Sequence, residues 1–385
     1  MLALLAMVGL ALDMSHAYVN KTRLQNSLDA AALAAAKVLD QTGDTAQAET
    51  AALTILAQNA SSTGNEELGN ALGDMSVVVQ FSDTLNPFVP GGVSPNYVRV
   101  RANNFDLESW FIQVLGITQK TVGASAVAGP STNLVYDEPV CGLAPMMVCG
   151  DPSDTPTSES AWGYEVGEIS VLKTSSGSGG TWEVGPGNFQ LIRLDGGQGG
   201  ADVRDAMAGD WDACLSADGD IETEPGNTIG PVAQGLNTRF GDYNGPVNST
   251  DHPPDVIVTE NTVAITETST ADSLNYNYNG FESDKAAGNY DYQPRPDGIG
   301  VFDRRILRVP IGDCDGTTNG QGTVSSLGFG CFFLLQKVKQ KGNEAEVYSQ
   351  FIQDCGAEGI PGSAPNNGPG VYKIVLHKDP DSNDS

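Results

Sequence analysis

The sequence predicts an α+β protein: a long amino-terminal helix, a small α+β unit, and then a mostly β region braced by disulfides. Ala and Leu dominate residues 1–58, and neither Gly nor Pro occurs between Leu10 and Gly43, which favours one long helix. Residues 59–130 alternate strand-like and helix-like patterns. Residues 131–385 are rich in Gly, hold all six cysteines and offer short strand candidates, which is typical of a β domain.

The helix opens with an uninterrupted apolar run from Met1 to Leu12. A helical run of that length covers roughly 18 Å, less than the ~30 Å hydrocarbon core of a bilayer. No Lys or Arg precedes Lys21, so the basic region of a signal peptide is missing. Three interpretations stay open: an internal start with more apolar sequence upstream, a trimmed mature chain, or a buried core helix. Beyond the run, one helix face is apolar through Leu24, Leu28, Ala31, Ala35 and Leu39.

The stretch GLALDMSHAYVNKTRLQNSLDAAALAAA resembles the amino-terminal signature of the TadG-like proteins of the Tad (Flp) pilus system. The matching positions are Gly9, Asp13, Tyr18, Lys21, Leu24, Gln25 and Asp29 through Ala36. The resemblance implies a membrane-held pseudopilin-like or accessory subunit with a small pilin-like α+β unit. The chain departs from the pattern upstream, where the usual arginine is missing, and it has no Glu like that of prepilin-type subunits.

For such a subunit the helix residues are expected to serve anchoring and assembly. Leu5, Val8 and Leu12 are expected to insert into lipid or a helix bundle. Tyr18, Leu24, Leu28 and Ala32 are expected to pack against neighbouring helices, where small alanines permit close approach. Two interpretations of Asp13 stay open, because a carboxylate among apolar residues is costly unless it is paired or lies at an interface. It forms a salt bridge with a neighbouring subunit, or it marks where the helix leaves the lipid.

Residues 59–130 predict strands at 75–81, 96–102 and 119–129. Between the last two, the pattern LESWFIQVLGI predicts an amphipathic helix with Asp106 as its N-cap and Gly116 at its C-cap. The helix and strands together can bury a small core.

The β region carries the cysteines and a tyrosine-rich loop. An even number of cysteines predicts up to three disulfides in an oxidising compartment, and the candidates are Cys141, Cys149, Cys214, Cys314, Cys331 and Cys355. Cys141 and Cys149 are expected to close a short loop, and Cys355 to pair with Cys314 or Cys331. Residues 270–297 predict a long loop in which Tyr276, Tyr278, Tyr290 and Tyr292 either serve adhesion or pack on the domain.

Composition narrows the function classes. Acidic residues outnumber basic ones 48 to 20, for a net charge of −28, which excludes most nucleic-acid binding and docking onto anionic lipid. The three histidines, His16, His252 and His377, offer no plausible triad, and no nucleophile elbow occurs in a strand–turn–helix setting. The sequence therefore predicts a non-enzymatic protein without a cofactor.

Calcium is the one ligand that the sequence suggests. Two acidic stretches supply hard oxygen ligands, with candidates Asp218, Asp220, Glu222, Asp313 and Asp315. Neither stretch has EF-hand spacing, and an acidic solvated loop is the alternative interpretation.

The residues and the resemblance together predict a structural component of a Tad/Flp-type pilus or related surface filament. Its partners are expected to be other filament subunits, itself included, and the membrane through the helix. The expected location is the inner membrane with a periplasmic β domain, or an extracellular filament. The alternatives are a surface adhesin or main filament subunit that binds a surface or glycan, and a secreted hydrolase with paired carboxylates.

Overall fold

A computed structural model describes residues 2–131, 139–157, 159–173, 188–194, 197–216, 219–266, 268–314, 320–340, 346–356, 358–359 and 370–382. The chain divides into two compact units. Unit 1 comprises Met1–Pro130 and Ile374–Ser385, and unit 2 comprises Ser131–Lys373. The predicted segments 1–58 and 59–130 therefore lie in one unit, and the last twelve residues of the predicted segment 131–385 belong to unit 1 rather than to the β region.

The regular elements follow in chain order. The helices are α1 Leu2–Thr42, α2 Thr45–Ala60, α3 Glu66–Ala71, α4 Gly200–Asp205, α5 Ile229–Asn237 and α6 Tyr278–Ala287. The first nine strands are β1 Ser76–Ser82, β2 Tyr97–Glu108, β3 Gln119–Pro130, β4 Pro139–Cys141, β5 Val148–Gly150, β6 Ser160–Ala161, β7 Tyr164–Glu165, β8 Ile169–Lys173 and β9 Asn188–Ile192. The others are β10 Leu215–Ser216, β11 Asp220–Pro225, β12 Ile306–Asp313, β13 Thr323–Leu334, β14 Val347–Ile352, β15 Asp354–Gly356, β16 Glu358–Gly359, β17 Gly370–Tyr372 and β18 Ile374–His377.

The long helix is present, but it ends at Thr42, and the predicted helical segment 1–58 continues as a second helix, α2. The end of α1 has a local cause. Gly43 adopts the left-handed conformation at φ 65°, which glycine enters without steric cost, and its N–H donates to Leu39 O at 2.7 Å. Asp44 then caps α2 by accepting hydrogen bonds from the N–H groups of Ala46 and Gln47. The short connection brings α2 back along α1, as in an αα-hairpin.

The core of unit 1 lies between the two helices and a four-stranded antiparallel sheet, in the order β1-β2-β3-β18. One face of α1 and one face of α2 are buried through small side chains, which lets both helices approach each other and the sheet closely. The fully buried alanines of the two helices are Ala31, Ala32, Ala35, Ala48 and Ala52. From the sheet, alternate residues of β2 and β3 face them, among them Val98, Val100, Ala102 and Ala126.

The fourth strand of this sheet comes from the far end of the chain. β18 pairs antiparallel with β3, and Leu376 lies opposite Ala128. Just beyond β18, the fully buried Asp379 lies within 3.4 Å of both the Arg99 and the Arg101 guanidinium groups, on the face of β2 away from the helices. Unit 2 is therefore inserted between two neighbouring strands of unit 1, which sequence order could not reveal.

The predicted helix over 107–117 is wrong. β2 runs on to Glu108, because a bulge at residues 103–104 restores the register so that Phe105 and Leu107 are buried in the core. Asp106 is a strand residue that accepts a hydrogen bond from the Thr121 hydroxyl, not an N-cap. Residues 109–118, the hairpin tip, join β2 to β3 and hold only a 3₁₀ turn, Ile112–Leu115, which ends at Gly116 with φ 83° as predicted.

Unit 2 is mostly β, as predicted. Its largest sheet has seven strands in the order β5-β12-β13-β11-β9, with β14 beside β13 and β8 beside β14. All these pairs are antiparallel except β5 with β12. The core beneath it is rich in aromatic and branched side chains, including Phe332, Phe333 and Phe351.

Three disulfides brace unit 2, joining Cys141 to Cys214, Cys149 to Cys314, and Cys331 to Cys355. The predicted loop closed by Cys141 and Cys149 is wrong, whereas one of the two pairings expected for Cys355 is correct. Strand pairing explains the difference. β4 lies beside β10, just after Cys214, and β5 runs parallel to the end of β12, just before Cys314, so the two neighbouring cysteines are drawn apart.

We expect Asp379→Asn to lower the free energy of unfolding by about 2–3 kcal/mol, because buried Arg99 loses a charged partner. Burial acts to raise the pKa of Asp379, but the Asp381 N–H and the Arg99 charge outweigh it and lower that pKa. The stabilisation is therefore present at neutral pH and is lost as the pH falls below about 4. Urea unfolding and hydrogen exchange of the β2, β3 and β18 amides measure both effects.

Asp381→Asn is the matched control, since the Asp381 side chain contacts the same Arg99 but is 54% exposed. We expect it to cost about 0.5 kcal/mol. Equal losses for the two variants would show that the burial of Asp379 does not matter.

Candidate functional site

Three of the signature residues of α1, Gly9, Asp13 and Leu24, lie along one buried stripe of the helix. Gly9, Asp13, Ala17, Asn20 and Leu24 recur at intervals of three or four residues and are buried or nearly so. The stripe first meets the hairpin tip and then passes into the core of unit 1. It therefore connects the start of the helix to the sheet within the same chain.

The Asp13 carboxylate is the most extensively bonded group of this stripe. Its Oδ1 accepts from Trp110 N at 2.9 Å, and its Oδ2 accepts from Phe111 N at 2.9 Å and from Ile112 N at 2.6 Å. Burial acts to raise the pKa of Asp13, but the N–H groups of Ile112, Trp110 and Phe111 stabilise the anion and lower the pKa overall.

This geometry adds a role for Asp13 that the sequence did not indicate. The carboxylate is satisfied inside its own chain, by the free N–H groups at the start of the 3₁₀ turn. A salt bridge to another subunit is therefore not needed to offset its burial, and the position of Asp13 relative to a lipid boundary stays a prediction.

Two further contacts hold the hairpin tip against the helix. A side chain at Gly9 would place its Cβ 2.8 Å from Phe111 Cβ, so glycine is what lets the tip approach. One turn beyond Asp13, the His16 ring stacks on the Trp110 indole at 4.2 Å between ring centroids. His16 Nε2 also lies 2.8 Å from Glu67, which accepts a second hydrogen bond from Asn20. Sequence reasoning missed these contacts. The available signal was the spacing of Gly9 and Asp13, which places a glycine and a carboxylate on the same face of an apolar helix.

Next to the stripe, the start of α1 and the hairpin tip expose a set of large apolar side chains that we call the apolar end. Its members are Met7, Val8, Leu10, Leu12, Met14, Tyr18, Trp110, Phe111, Val114 and Ile117. The exposed fraction of the side chain is 58% for Val8, 45% for Leu12 and 74% for Tyr18. These three residues, which were expected to contact lipid or neighbouring helices, are therefore accessible to another molecule. Surface this apolar is uncommon on a monomeric protein and marks an interaction site.

The other predicted packing residues of the helix lie elsewhere. Leu24, Leu28 and Ala32, which were expected to pack against neighbouring helices, are fully buried in the core of unit 1. The side chain of Leu5 lies outside the described residues. Within the described part of the chain, no helix combines the length and the apolar character needed to cross a bilayer.

The tyrosine-rich segment differs from the expected loop. It contains α6, and its four tyrosines are half-buried rather than exposed. Tyr278 packs on Phe333, Tyr290 on Phe302, and the Tyr276 hydroxyl donates to Asp284 at 3.1 Å. These tyrosines therefore pack on the domain, as in the second of the two sequence interpretations, and adhesion through this segment stays a prediction.

The calcium candidates are only partly described. Asp220 and Glu222 are exposed on β11 and Asp313 is exposed at the end of β12, whereas Asp218 and Asp315 lie outside the described residues. Among described residues, no three His, Cys, Asp or Glu side chains converge as a metal site would require. Calcium binding stays a prediction.

Unit 2 also buries charged groups, and they hold loops together. The fully buried Arg305 guanidinium donates to the carbonyls of Leu334 and Thr259 and lies 4.4 Å from the centre of the Phe333 ring. Asp255 accepts from the Arg305 N–H, and burial, followed by the charge of Asp303, raises the pKa of Asp255 to about 7. Arg305 and Asp255 thus form their hydrogen bonds with backbone groups of different segments, and these bonds stabilise the fold of unit 2.

Two family models match the chain, and both lie in its amino-terminal part. The Tad model, described as Flp pilus-assembly TadE/G-like, covers residues 1–38, and the Tad_C model, described as Tad-like Flp pilus-assembly, covers residues 33–128. Together they span α1 through most of β3, including Asp13 and the hairpin tip. No curated protein and no solved structure matches the chain.

We expect Asp13→Asn to loosen the hairpin tip, because an amide presents one acceptor oxygen to N–H groups that two charged oxygens now hold. Hydrogen exchange of the Trp110, Phe111 and Ile112 amides should accelerate severalfold, and the Trp110 emission should change as its stacking on His16 weakens. Glu108→Gln removes the same charge from an exposed position next to the tip and serves as the control. Unchanged exchange in Asp13→Asn would show that the carboxylate does not hold the tip.

Proposed function

We propose that this chain is a structural, non-enzymatic subunit of a Tad-type pilus or related filament, because residues 1–128 match the Tad and Tad_C pilus-assembly models. The family match supports a pilus-related role in the cell envelope. The finer proposal, that the chain acts by packing against other subunits, rests on the apolar end of unit 1.

The chemistry of the apolar end favours a protein neighbour that is itself apolar. In a chain with 48 acidic residues, the stretch from Met7 to Ser15 has a single ionisable side chain, and that side chain, Asp13, is turned inward to the hairpin tip. Exposed carboxylates, which would repel another copy of so acidic a chain, are therefore absent from this stretch. A subunit with a matching helix can bury Val8 and Leu12 without desolvating a charge of this stretch.

The rest of the chain is suited to display outside the cytoplasm. Three disulfides persist in oxidising compartments, and a strongly acidic surface keeps a densely packed assembly hydrated. Because unit 2 is inserted between β3 and β18, it can vary while the four-stranded sheet and the helices of unit 1 keep their architecture. The proposed subunit thus packs through unit 1 and presents unit 2.

We expect Val8→Asp to fold normally and to abolish assembly, because the change places a charge in the proposed contact while leaving the core untouched. The measurement is the share of the full chain recovered in sheared surface filaments or large envelope complexes, with electron microscopy of the same material. Correct disulfides and unchanged circular dichroism establish folding.

Val93→Asp is the matched control, because Val93 is fully exposed in the loop between β1 and β2, outside the apolar end. It should assemble like the unaltered chain. Normal assembly of Val8→Asp would overturn the proposed packing surface, and loss of assembly in both variants would show that added charge alone is responsible.

A further inference from the structure

Among the described residues of unit 2, two lysines are buried, and the groups around their amines differ in chemistry. Lys285 is 3% exposed, and its Nζ lies 2.7 Å from Glu282 and 3.1 Å from Asp303, so two carboxylates hold it as an ammonium ion. Lys173, at the end of β8, is fully buried, and its Nζ contacts the side-chain carbonyl oxygen of Asn227. A carboxamide, unlike a carboxylate, is an acyl group that an amine can attack.

The geometry brings the amine close to the carbon that such a reaction needs. Asn227 Oδ1 accepts a hydrogen bond from Lys173 Nζ, and the carbonyl carbon lies one bond, about 1.2 Å, from that oxygen. Asn227 is half-buried in the connection between β11 and α5, and Lys173 is opposite Val347 of β14, so both groups come from ordered segments. Reactants held in contact in this way gain much of the entropy that a bimolecular step would lose.

Glu346 is the carboxylate whose charge acts on Lys173. Glu346 directly precedes Val347 and is close enough for its charge to act on Lys173, and its Oε2 accepts a hydrogen bond from the Tyr348 hydroxyl. Burial lowers the pKa of Lys173 to about 8, while the charge of Glu346 opposes that shift. A larger fraction of the amine is therefore neutral, and thus nucleophilic, than for a lysine in water.

We propose that Lys173 and Asn227 form an intramolecular isopeptide bond, with Glu346 carrying the proton. The neutral Nζ attacks the side-chain carbonyl carbon of Asn227, and an N–C bond forms. Glu346 takes one proton from Nζ and delivers it to the side-chain amide nitrogen of Asn227. The bond between that nitrogen and the carbonyl carbon then breaks, and ammonia leaves. One amine and one primary amide thus become one secondary amide and one ammonia, and no oxidant or further reactant is required.

The bond would join the end of β8 to the connection that follows β11, two segments that do not pair with each other in the sheet. Together with the three disulfides it would close unit 2 by four covalent cross-links, one of which reducing agents cannot open. This inference goes beyond the proposed filament role and does not depend on it.

The test is mass spectrometry of the full chain, purified, reduced and alkylated. We expect an intact mass about 17 Da, the mass of one ammonia, below the mass calculated for the sequence with its six cysteines alkylated. Trypsin should fail to cleave after Lys173 and should leave its peptide joined to the peptide of residues 205–239, which carries Asn227. Reduction is essential, because the disulfide from Cys141 to Cys214 links the same two peptides.

Lys173→Arg and Asn227→Ala should each have the full mass calculated for their sequences and yield separate peptides. Glu346→Gln should leave most of the chain unlinked, which separates the proton carrier from a merely structural residue. The peptide of Lys285 is the internal control and should be cleaved normally. A full-mass unaltered chain with free Lys173 and intact Asn227 would overturn the proposal, whether or not the variants fold.

Discussion

The packing of small side chains on α1 is the constraint on which the rest of unit 1 depends. Alanines on this helix are buried both towards α2 and towards the sheet. Because their side chains are small, α1, α2 and the sheet can lie close together. A larger residue at Ala31 or Ala35 would separate the layers and open the contacts of Leu24, Leu28 and Phe105 at once. The alanine block is thus an intramolecular packing surface.

From this packing follows the position of the hairpin tip. With the sheet held against the middle of α1, the connection from β2 to β3 reaches back to the beginning of the helix, where Asp13 and Gly9 receive it. The Asp13 carboxylate binds the N–H groups of the hairpin tip, and the absence of a side chain at Gly9 leaves space for Phe111. The exposed apolar residues of the tip and the helix are consequently neighbours, and they form one surface rather than two.

The insertion of unit 2 explains why the family match and the compact unit do not coincide. The residues matched by the family models end at 128, yet β18 completes the sheet of unit 1 and Asp379 forms ion pairs with Arg99 of β2. Unit 2 has its own core and its own covalent bracing, so its fold does not require the alanine packing of unit 1.

The sequence by itself determined the features that depend on local pattern and composition. The long helix, the β character of unit 2, the glycine end of the 3₁₀ turn and the family signature follow from residue types and spacing over short stretches. Tertiary structure decided which groups bind Asp13 and whether residues 107–117 form a helix. It also decided the disulfide partners of Cys141 and Cys149 and the pairing of the last strand, β18, with β3. Each of these depends on groups far apart in the chain, 97 residues for Asp13 and Trp110 and 280 for Arg99 and Asp379. Local preference is worth fractions of a kcal/mol per residue, about 0–0.7, and burying Phe105 and Leu107 in a strand outweighs it.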